Sequence, residues 1–233
     1  MKTVKLFSPT IEINYPNTKS ELAIFALNAE HPSALVALNA QKLLGIFEDT
    51  NFLGDIAGSI FYPDGAPILW FAKEKTPKIP GVELWLDVLD LAIRSEKRIA
   101  LIGGTEEVSE INEKKILNKI STKAKLVRTH GYKSDHDYIK FIKKYEPQVC
   151  FVAMGTPKQE KLIGLLQKEH GDCLYMGIGG SLDIFTGRLK RSPKIFLNLN
   201  LEFLYRALTQ PKRIWRQKNL LKFLLYYLSK KFY

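Results

Sequence analysis

The sequence has few cysteines and no long hydrophobic run. Its 233 residues include two cysteines, Cys150 and Cys173, and each lies in an apolar run typical of a buried strand. Two buried free thiols suit a reducing compartment and argue against a disulfide-stabilised secreted protein. The N-terminus has no apolar run of the signal-peptide type, and no segment reaches the roughly 18 uninterrupted apolar residues of a membrane span. We therefore expect a cytoplasmic protein that is neither exported nor inserted across a bilayer.

Histidine is also scarce, which bears on metal sites and nucleophilic catalysis. The four histidines are His31, His130, His136 and His170. They share no ligand-like spacing, so neither a zinc site nor a Ser-His-Asp arrangement is indicated. The run Asp135-His136-Asp137 resembles the carboxylate pair with which some glycosyltransferases hold a divalent metal. It also follows Ser134 at a helix start, where the dipole favours acids, and we prefer that interpretation; we expect no metal and no cofactor.

Acidic residues are nearly absent from the last fifth of the chain. The segment from Arg188 to Tyr233 contains 12 of the 35 Lys and Arg residues but only one of the 24 Asp and Glu residues, Glu202. Its net charge is therefore +11, which equals the formal net charge of the whole chain. A solvated basic face, nucleic acid and an anionic membrane surface with a diphosphate ligand are three explanations. Interleaved Leu, Phe, Trp and Tyr favour the membrane, and no nucleic-acid-binding motif is present.

Strand-like and helix-like segments alternate through most of the chain. Short apolar runs predict strands at Ala34–Leu38, Ser59–Tyr62, Arg98–Ile102, Lys125–Arg128, Val149–Met154 and Leu174–Ile178. Helical spacing occurs at Val82–Ser95, Glu107–Ile120 and Asp135–Tyr145. Strands that are apolar throughout predict an α/β fold with a parallel sheet covered by helices on both faces, a Rossmann-like arrangement. We divide the chain into an α/β domain over residues 1–194 and a basic helical appendage over residues 195–233, with helices predicted at 196–208 and 211–228.

Polar and glycine-rich loops follow the predicted strands. They contain Asp64-Gly65, Gly103-Gly104-Thr105, Gly155-Thr156-Pro157 and Gly179-Gly180-Ser181. In open parallel sheets ligands bind outside the carboxyl ends of the strands, so these loops are candidate binding elements. Gly103-Gly104 lacks the third glycine and the later acid of a dinucleotide fingerprint and predicts a tight strand-to-helix turn.

Asp64 can be explained in two ways. A carboxylate at the mouth of the sheet can act as general base for an acceptor hydroxyl. Alternatively, Pro-Asp-Gly is a common turn sequence, and Asp64 would cap a helix that begins near Ala66.

The sequence Gly155-Thr-Pro-Lys-Gln-Glu160 predicts a helix N-terminus. Free N–H groups there can bind an anion, and Gln159 can read an amide or hydroxyl. The structural alternative makes Thr156 the cap, places Pro157 in the first turn and lets Glu160 complement the dipole. Capping does not account for Gln159, so both interpretations can hold.

The stretch GIGGSLDIFTGRLKRSP, residues 177–193, joins a Gly-Gly turn to a cluster of cations. Together with PDG at 63–65, GTPKQE at 155–160 and LEFLYRALTQPKRIWRQ at 201–217, it resembles the WecG/TagA/CpsF family of bacterial glycosyltransferases, from about Ser33 to the end. The resemblance implies metal-independent, inverting transfer of N-acetylmannosamine or its uronic acid from a UDP-sugar to a polyprenyl-diphosphate-linked sugar. It also implies a peripheral position on the cytoplasmic membrane face, and self-association as a homo-oligomer.

Site residues follow from the resemblance position by position. Asp64 matches the family's proposed base, Asn39 an active-site asparagine and Gln159 the motif glutamine. The substrate-binding set that we predict also contains Gly65, Lys78, Gly103, Gly104, Gly155, Pro157, Glu160, Gly179, Gly180, Arg188, Arg191, Arg206, Arg213 and Arg216. The last three match appendage arginines thought to close over the nucleotide diphosphate, where guanidinium groups can stabilise the leaving group.

Two positions depart from the family pattern. Ala37 stands where many members have Thr, and Lys78 stands where Arg is usual, which keeps the charge but loses the bidentate fork. Two alternatives remain open: a transferase of the same fold with a different sugar or a soluble acceptor, and a non-catalytic nucleotide- or nucleic-acid-binding module. The second predicts strongly salt-dependent binding.

Overall fold

The computed structural model describes residues 2–6, 11–15, 18–29, 34–49, 51–52, 59–65, 78–120, 123–190, 192–193, 195–196, 205, 222–223 and 225, and of residues 2–15 the backbone alone. The helix expected near Ala66 lies outside the described residues, as do most residues of the appendage helices predicted at 196–208 and 211–228; the residues described there, 196, 205, 222, 223 and 225, are helical. The division at residue 194 therefore remains a prediction.

Eight strands are described. They are β1 (Lys2–Leu6), β2 (Ile11–Tyr15), β3 (Ala34–Leu38), β4 (Ile60–Pro63), β5 (Arg98–Gly103), β6 (Lys125–Thr129), β7 (Val149–Ala153) and β8 (Leu174–Gly177). All six predicted strands are confirmed, with bounds that shift by one residue at most. The hairpin β1–β2 was not predicted, because the first 15 residues show neither a uniformly apolar run nor a tight two-residue turn signal.

Within the described ranges, seven helices with assigned bounds connect or follow the strands. They are α1 (Lys19–Leu27), α2 (Ala40–Glu48), α3 (Gly81–Arg94), α4 (Glu106–Leu117), α5 (Asp135–Tyr145), α6 (Lys158–Glu169) and α7 (Ser181–Thr186). Four of them begin at side-chain caps, in which Thr18, Asn39, Thr105 and Ser134 accept a backbone N–H of the first turn. Such caps fix the residue at which each chain segment turns from loop to helix.

The sheet is parallel except at one edge. Its strand order is β1-β2-β4-β3-β8-β7-β5-β6, and among the described strand pairs only β1–β2 is antiparallel. Because β3 pairs with both β4 and β8, residues far apart in sequence become neighbours at the centre. The chain passes from β5 to β6 on one side of β5 and then crosses back to β7 on its other side. The loops after β5 and β7 therefore run in opposite directions from neighbouring strands.

Two apolar cores confirm that helices cover both faces. Alternate residues of the central strands enter opposite cores, as Leu101 and Phe151 do on one face and Ile102 and Val152 on the other. The first core packs against α1, α3, α4 and α7, and the second against α2, α5 and α6. Strands buried on both faces explain why the sequence runs are uniformly apolar.

The C-terminal segment contacts the α/β portion where it is described. Phe223 is fully buried, and the Lys222 ammonium pairs with the Glu48 carboxylate at the end of α2. Among the described residues, no helix combines the length and apolar character that crossing a membrane requires.

Both cysteines are expected to resist thiol reagents while the protein is folded. Cys150 and Cys173 are fully buried free thiols in the second core. Burial disfavours the thiolate and raises the pKa of each thiol well above its ordinary value. Titration with an aromatic disulfide should therefore detect no fast-reacting thiol in native protein and two in denaturant. A rapid native reaction would show that the second core opens readily.

Candidate active site at the carboxyl ends of the strands

The loops singled out in the sequence meet along one edge of the sheet. Asn39 follows β3, Asp64 follows β4, Gly104 follows β5, and Gly155 and Gly179 follow β7 and β8. Since these strands are parallel and adjacent in the order β4-β3-β8-β7-β5, their carboxyl ends are neighbours. The topology thus brings together loops that span more than half of the chain.

Asp64 is held at this edge by its own backbone and by its side chain. Its N–H donates to the carbonyl of Leu38 at 2.9 Å, which places it beside the residue preceding Asn39. One carboxylate oxygen accepts the N–H of Gly81 at 3.4 Å, at the start of α3. Asp64 therefore supports the N-terminus of α3, while the helix expected near Ala66 lies outside the described residues. Its half-buried carboxylate remains accessible at the mouth of the sheet.

Tyr62 and Gly81 lie against Asp64. A Cβ on Gly81 would stand 2.9 Å from the Tyr62 hydroxyl oxygen and 3.6 Å from Asp64 Oδ2, so only glycine fits here without displacing a side chain. The Tyr62 ring is fully buried. Burial first, and then the negative charges of Asp64 and Glu160, raise the pKa of Tyr62 well above its ordinary value. The phenol is consequently neutral at physiological pH.

Asn39 is the N-cap of α2. Its side-chain oxygen accepts the N–H of Lys42 at 3.0 Å. This bond orients the asparagine at the end of β3, next to the Asp64 loop. Ala37, two residues earlier, is buried in the first core and lies near the Cβ position of Gly81, 3.8 Å away.

Gln159 joins two of the glycine loops. Its side-chain oxygen accepts the N–H of Gly155 at 3.1 Å and the N–H of Gly179 at 3.0 Å. A Cβ on Gly177 would stand 2.6 Å from the Gln159 amide nitrogen, so the glycine lets this side chain approach the strand. The sequence motifs at 155–160 and 177–180 are therefore one structural unit.

The expected capping of α6 was wrong in detail. Pro157 is the cap residue, with no side-chain cap bond, and the helix begins at Lys158. The Thr156 hydroxyl donates instead to Glu160 Oε1 at 3.2 Å. Glu160 is buried and forms an ion pair with Lys42, so its carboxylate does not face solvent at the helix dipole.

The turn after β5 has the tight geometry that the sequence predicts. Gly103 and Gly104 both have positive φ, and the Gly104 carbonyl accepts the N–H of Gly131 at 2.9 Å. Thr105 then caps α4. The loops after β5 and β6 are in this way joined.

The predicted cations fall into two groups. Lys78 is half-buried just before α3, whereas Arg188 is exposed beyond α7. Arg191, Arg206, Arg213 and Arg216 lie outside the described residues, so their roles remain predictions. Gly65, with positive φ, and Gly180, the residue before α7, occupy the expected loop positions.

Asp135 and Asp137 belong to a helix start. Asp137 accepts the hydroxyl of Ser134 at 2.6 Å and its N–H at 3.3 Å, which completes a capping box. These bonds lower the pKa of the Asp137 carboxyl. Within the ranges that the structure describes, no three His, Cys, Asp or Glu side chains are grouped to hold a metal ion.

Sequence reasoning missed Lys42, Tyr62 and Gly81. Lys42 could have been noticed, because Gly45 and Ile46, three and four positions later, place it on the inward face of α2. Tyr62 resembles any aromatic residue of an apolar strand. The approach of Gly81 to Tyr62 and Asp64 depends on the tertiary structure alone.

The fold and this edge define a class: an α/β protein whose binding loops follow parallel strands around a half-buried carboxylate. A family model described as "Glycosyl transferase WecG/TagA/CpsF family" matches residues 10–233. The chain belongs to this family and is a glycosyltransferase. The match begins before Ser33, where the sequence resemblance was expected to start, and so includes β2.

Proposed function

We propose that this glycosyltransferase moves N-acetylmannosamine, or its uronic acid, from a UDP-sugar to a polyprenyl-diphosphate-linked sugar with inversion. Asp64 takes the proton of the acceptor hydroxyl as that oxygen attacks the anomeric carbon. The bond between this carbon and the phosphate oxygen breaks on the opposite face, and UDP leaves. The reaction contributes to cell-surface polysaccharide synthesis.

The placement of Asp64 supports this proposal most strongly. Its carboxylate is half-buried, is oriented by the Gly81 N–H, and stands where β3 and β4 end. A general base must reach the proton that it removes and must also be held in position. The Gly81 contact supplies the second condition, the partial exposure supports the first, and the acid matches the family's proposed base.

The glycine loops after β5, β7 and β8 are suited to the donor. Positive φ at Gly104, Gly155 and Gly179 brings backbone close to the sheet edge. Among the described residues, the nearest atom to a Cβ on Gly179 would be Gln159 Oε1, at 3.9 Å, so a phosphate can approach this loop. We place the diphosphate here, with Arg206, Arg213 and Arg216 closing over it.

The basic C-terminal segment, residues 188–233, is proposed to dock on the inner face of the cytoplasmic membrane. Its net charge of +11 attracts anionic headgroups, and its interleaved aromatic and aliphatic residues can enter the interface. A lipid-linked acceptor would then meet the sheet edge without leaving the bilayer surface.

Acceptor-dependent UDP release tests the proposal. Full-length protein would be assayed over a panel of UDP-sugars, with and without a synthetic polyprenyl-diphosphate N-acetylglucosamine, and with chelator present. We expect release with one donor, only when acceptor is added. Equal release with a short-chain soluble acceptor would favour a soluble substrate. Silence over the panel, together with salt-dependent RNA or DNA binding, would contradict the proposed reaction.

A further inference from the structure

Lys42 and Glu160 form a buried ion pair behind the candidate active site. Lys42 Nζ lies 2.7 Å from Glu160 Oε1, and the two side chains are 3% and 1% exposed. Within the described part of the chain they are the only charged residues that are buried. One comes from α2 and the other from α6, which follow β3 and β7.

Stability alone does not explain such a pair. The desolvation of two charges roughly cancels their attraction, and apolar side chains of similar volume are often equally stable. A buried ion pair is more informative about geometry, because both partners require particular positions. The groups bonded to it therefore indicate what it holds.

Glu160 Oε1 is the centre of a hydrogen-bond network. Besides Lys42, it accepts the Gln159 side-chain amide at 2.8 Å and the Thr156 hydroxyl at 3.2 Å. The other end of Gln159 accepts the N–H groups of Gly155 and Gly179. Glu160 thereby fixes Gln159, and Gln159 fixes the loops after β7 and β8.

Lys42 connects the same network to the loop after β3. Its backbone N–H is the group that Asn39 caps, and its ammonium ties this first turn of α2 to Glu160. Tyr62, which adjoins Asp64 on β4, lies close enough to Glu160 to feel its charge. The pair therefore links the ends of β3, β7 and β8. It also lies near β4, which Asp64 follows.

We propose that Lys42 and Glu160 are positioning residues that hold the loops after β3, β7 and β8 in their reactive arrangement. The effect on turnover rests on the proposed function. The effect on loop order does not. Neither residue touches substrate in this role; each acts through Asn39 and Gln159.

The test separates loop order from global stability. Lys42→Met removes one charge, Lys42→Met/Glu160→Gln removes both, and Lys161→Met, at an exposed position of α6, is the control. Thr156→Val removes one donor to Glu160 and leaves both charges in place. Melting temperature, kcat and donor KM would be measured, with deuterium exchange of peptides covering 155–160 and 177–181 against 106–117.

Lys42→Met should lower the melting temperature by roughly 10 °C, because it leaves the buried Glu160 carboxylate without its positive partner. The double variant should recover to within about 3 °C of wild type, as expected when a buried pair is replaced together. In the double variant the two loop peptides should still exchange deuterium at least ~10-fold faster than in wild type. Its kcat should stay ~10- to 100-fold below the wild-type value with donor KM little changed, because small misplacements of reacting groups are costly in catalysis. Thr156→Val should shift exchange in the same direction by about 3-fold.

The proposal would be overturned if the double variant regained the wild-type melting temperature and its loop peptides exchanged deuterium at the wild-type rate. A kcat that recovered together with the melting temperature would also overturn it and would mean a purely structural role. If the double variant does not fold, unchanged exchange in Thr156→Val would overturn it. Failure of the proposed function appears differently, as absent UDP release by wild type, and leaves the exchange comparison intact.

Discussion

Replacing Asp64 with Asn is expected to lower kcat for acceptor-dependent UDP release by about 10²- to 10⁴-fold, the usual contribution of a positioned general base. Asparagine has nearly the same shape and keeps an oxygen that can accept the Gly81 N–H. It cannot take the acceptor proton. The melting temperature should therefore stay close to that of wild type while turnover falls.

The matched control is Asp90→Asn on α3. Asp90 is exposed and pairs with Arg94 one turn later, a contact worth only about 0.3–0.5 kcal/mol. This variant should keep wild-type turnover. Asp64→Asn protein that is folded and turns over at the wild-type rate would show that Asp64 is not the base.

Replacing Gly103 with Ala is expected to give the largest loss of stability. Gly103 has φ +133°, and a Cβ there would stand 2.3 Å from the carbonyl oxygen of Ala153, its partner on β7. The obstacle is the backbone of the paired neighbouring strand, which cannot rotate away as a side chain can. Backbone strain and overpacking together should cost about 3–5 kcal/mol. Thermal unfolding should show a melting temperature lower by roughly 10 °C.

Gly171→Ala provides the comparison. Gly171 is exposed after α6, and the closest atom to its Cβ position is the Gln167 carbonyl oxygen at 3.7 Å, an ordinary contact. Its melting temperature should change by no more than about 2 °C. Equal stability of the two variants would contradict the tight β5–β7 approach seen in the structure.

The α/β fold could be predicted because its signals are local. Uniformly apolar runs such as Val149–Met154 and Leu174–Ile178 indicate strands buried on both faces, and Ser134 before Asp135 marks the start of a helix. The hairpin β1–β2 could not be predicted. Its pairing depends on an edge position beside β4, which no local pattern reports.

The candidate site was predictable in part. Polar residues directly after strands indicated which loops lie at the carboxyl ends of the strands, Asp64 among them, and the family resemblance proposed Asp64 as the base. The sequence suggested that Gln159 and Glu160 contact substrate. In the structure Gln159 bonds the two glycine loops, and Glu160 pairs with Lys42, which lies more than 100 positions away in the sequence.

The sequence by itself determined the fold class, the loops that lie at the carboxyl ends of the strands, the family and the concentration of positive charge in one segment. The family follows from the resemblance of four motifs in their order and spacing, and the others follow from composition or from neighbours within a few residues. Only the tertiary structure decided the strand order, the approach of Gly81 to Tyr62 and Asp64, and the Lys42–Glu160 pair. These features depend on which distant segments become adjacent when the sheet forms, and no local sequence pattern reports the energy of such contacts.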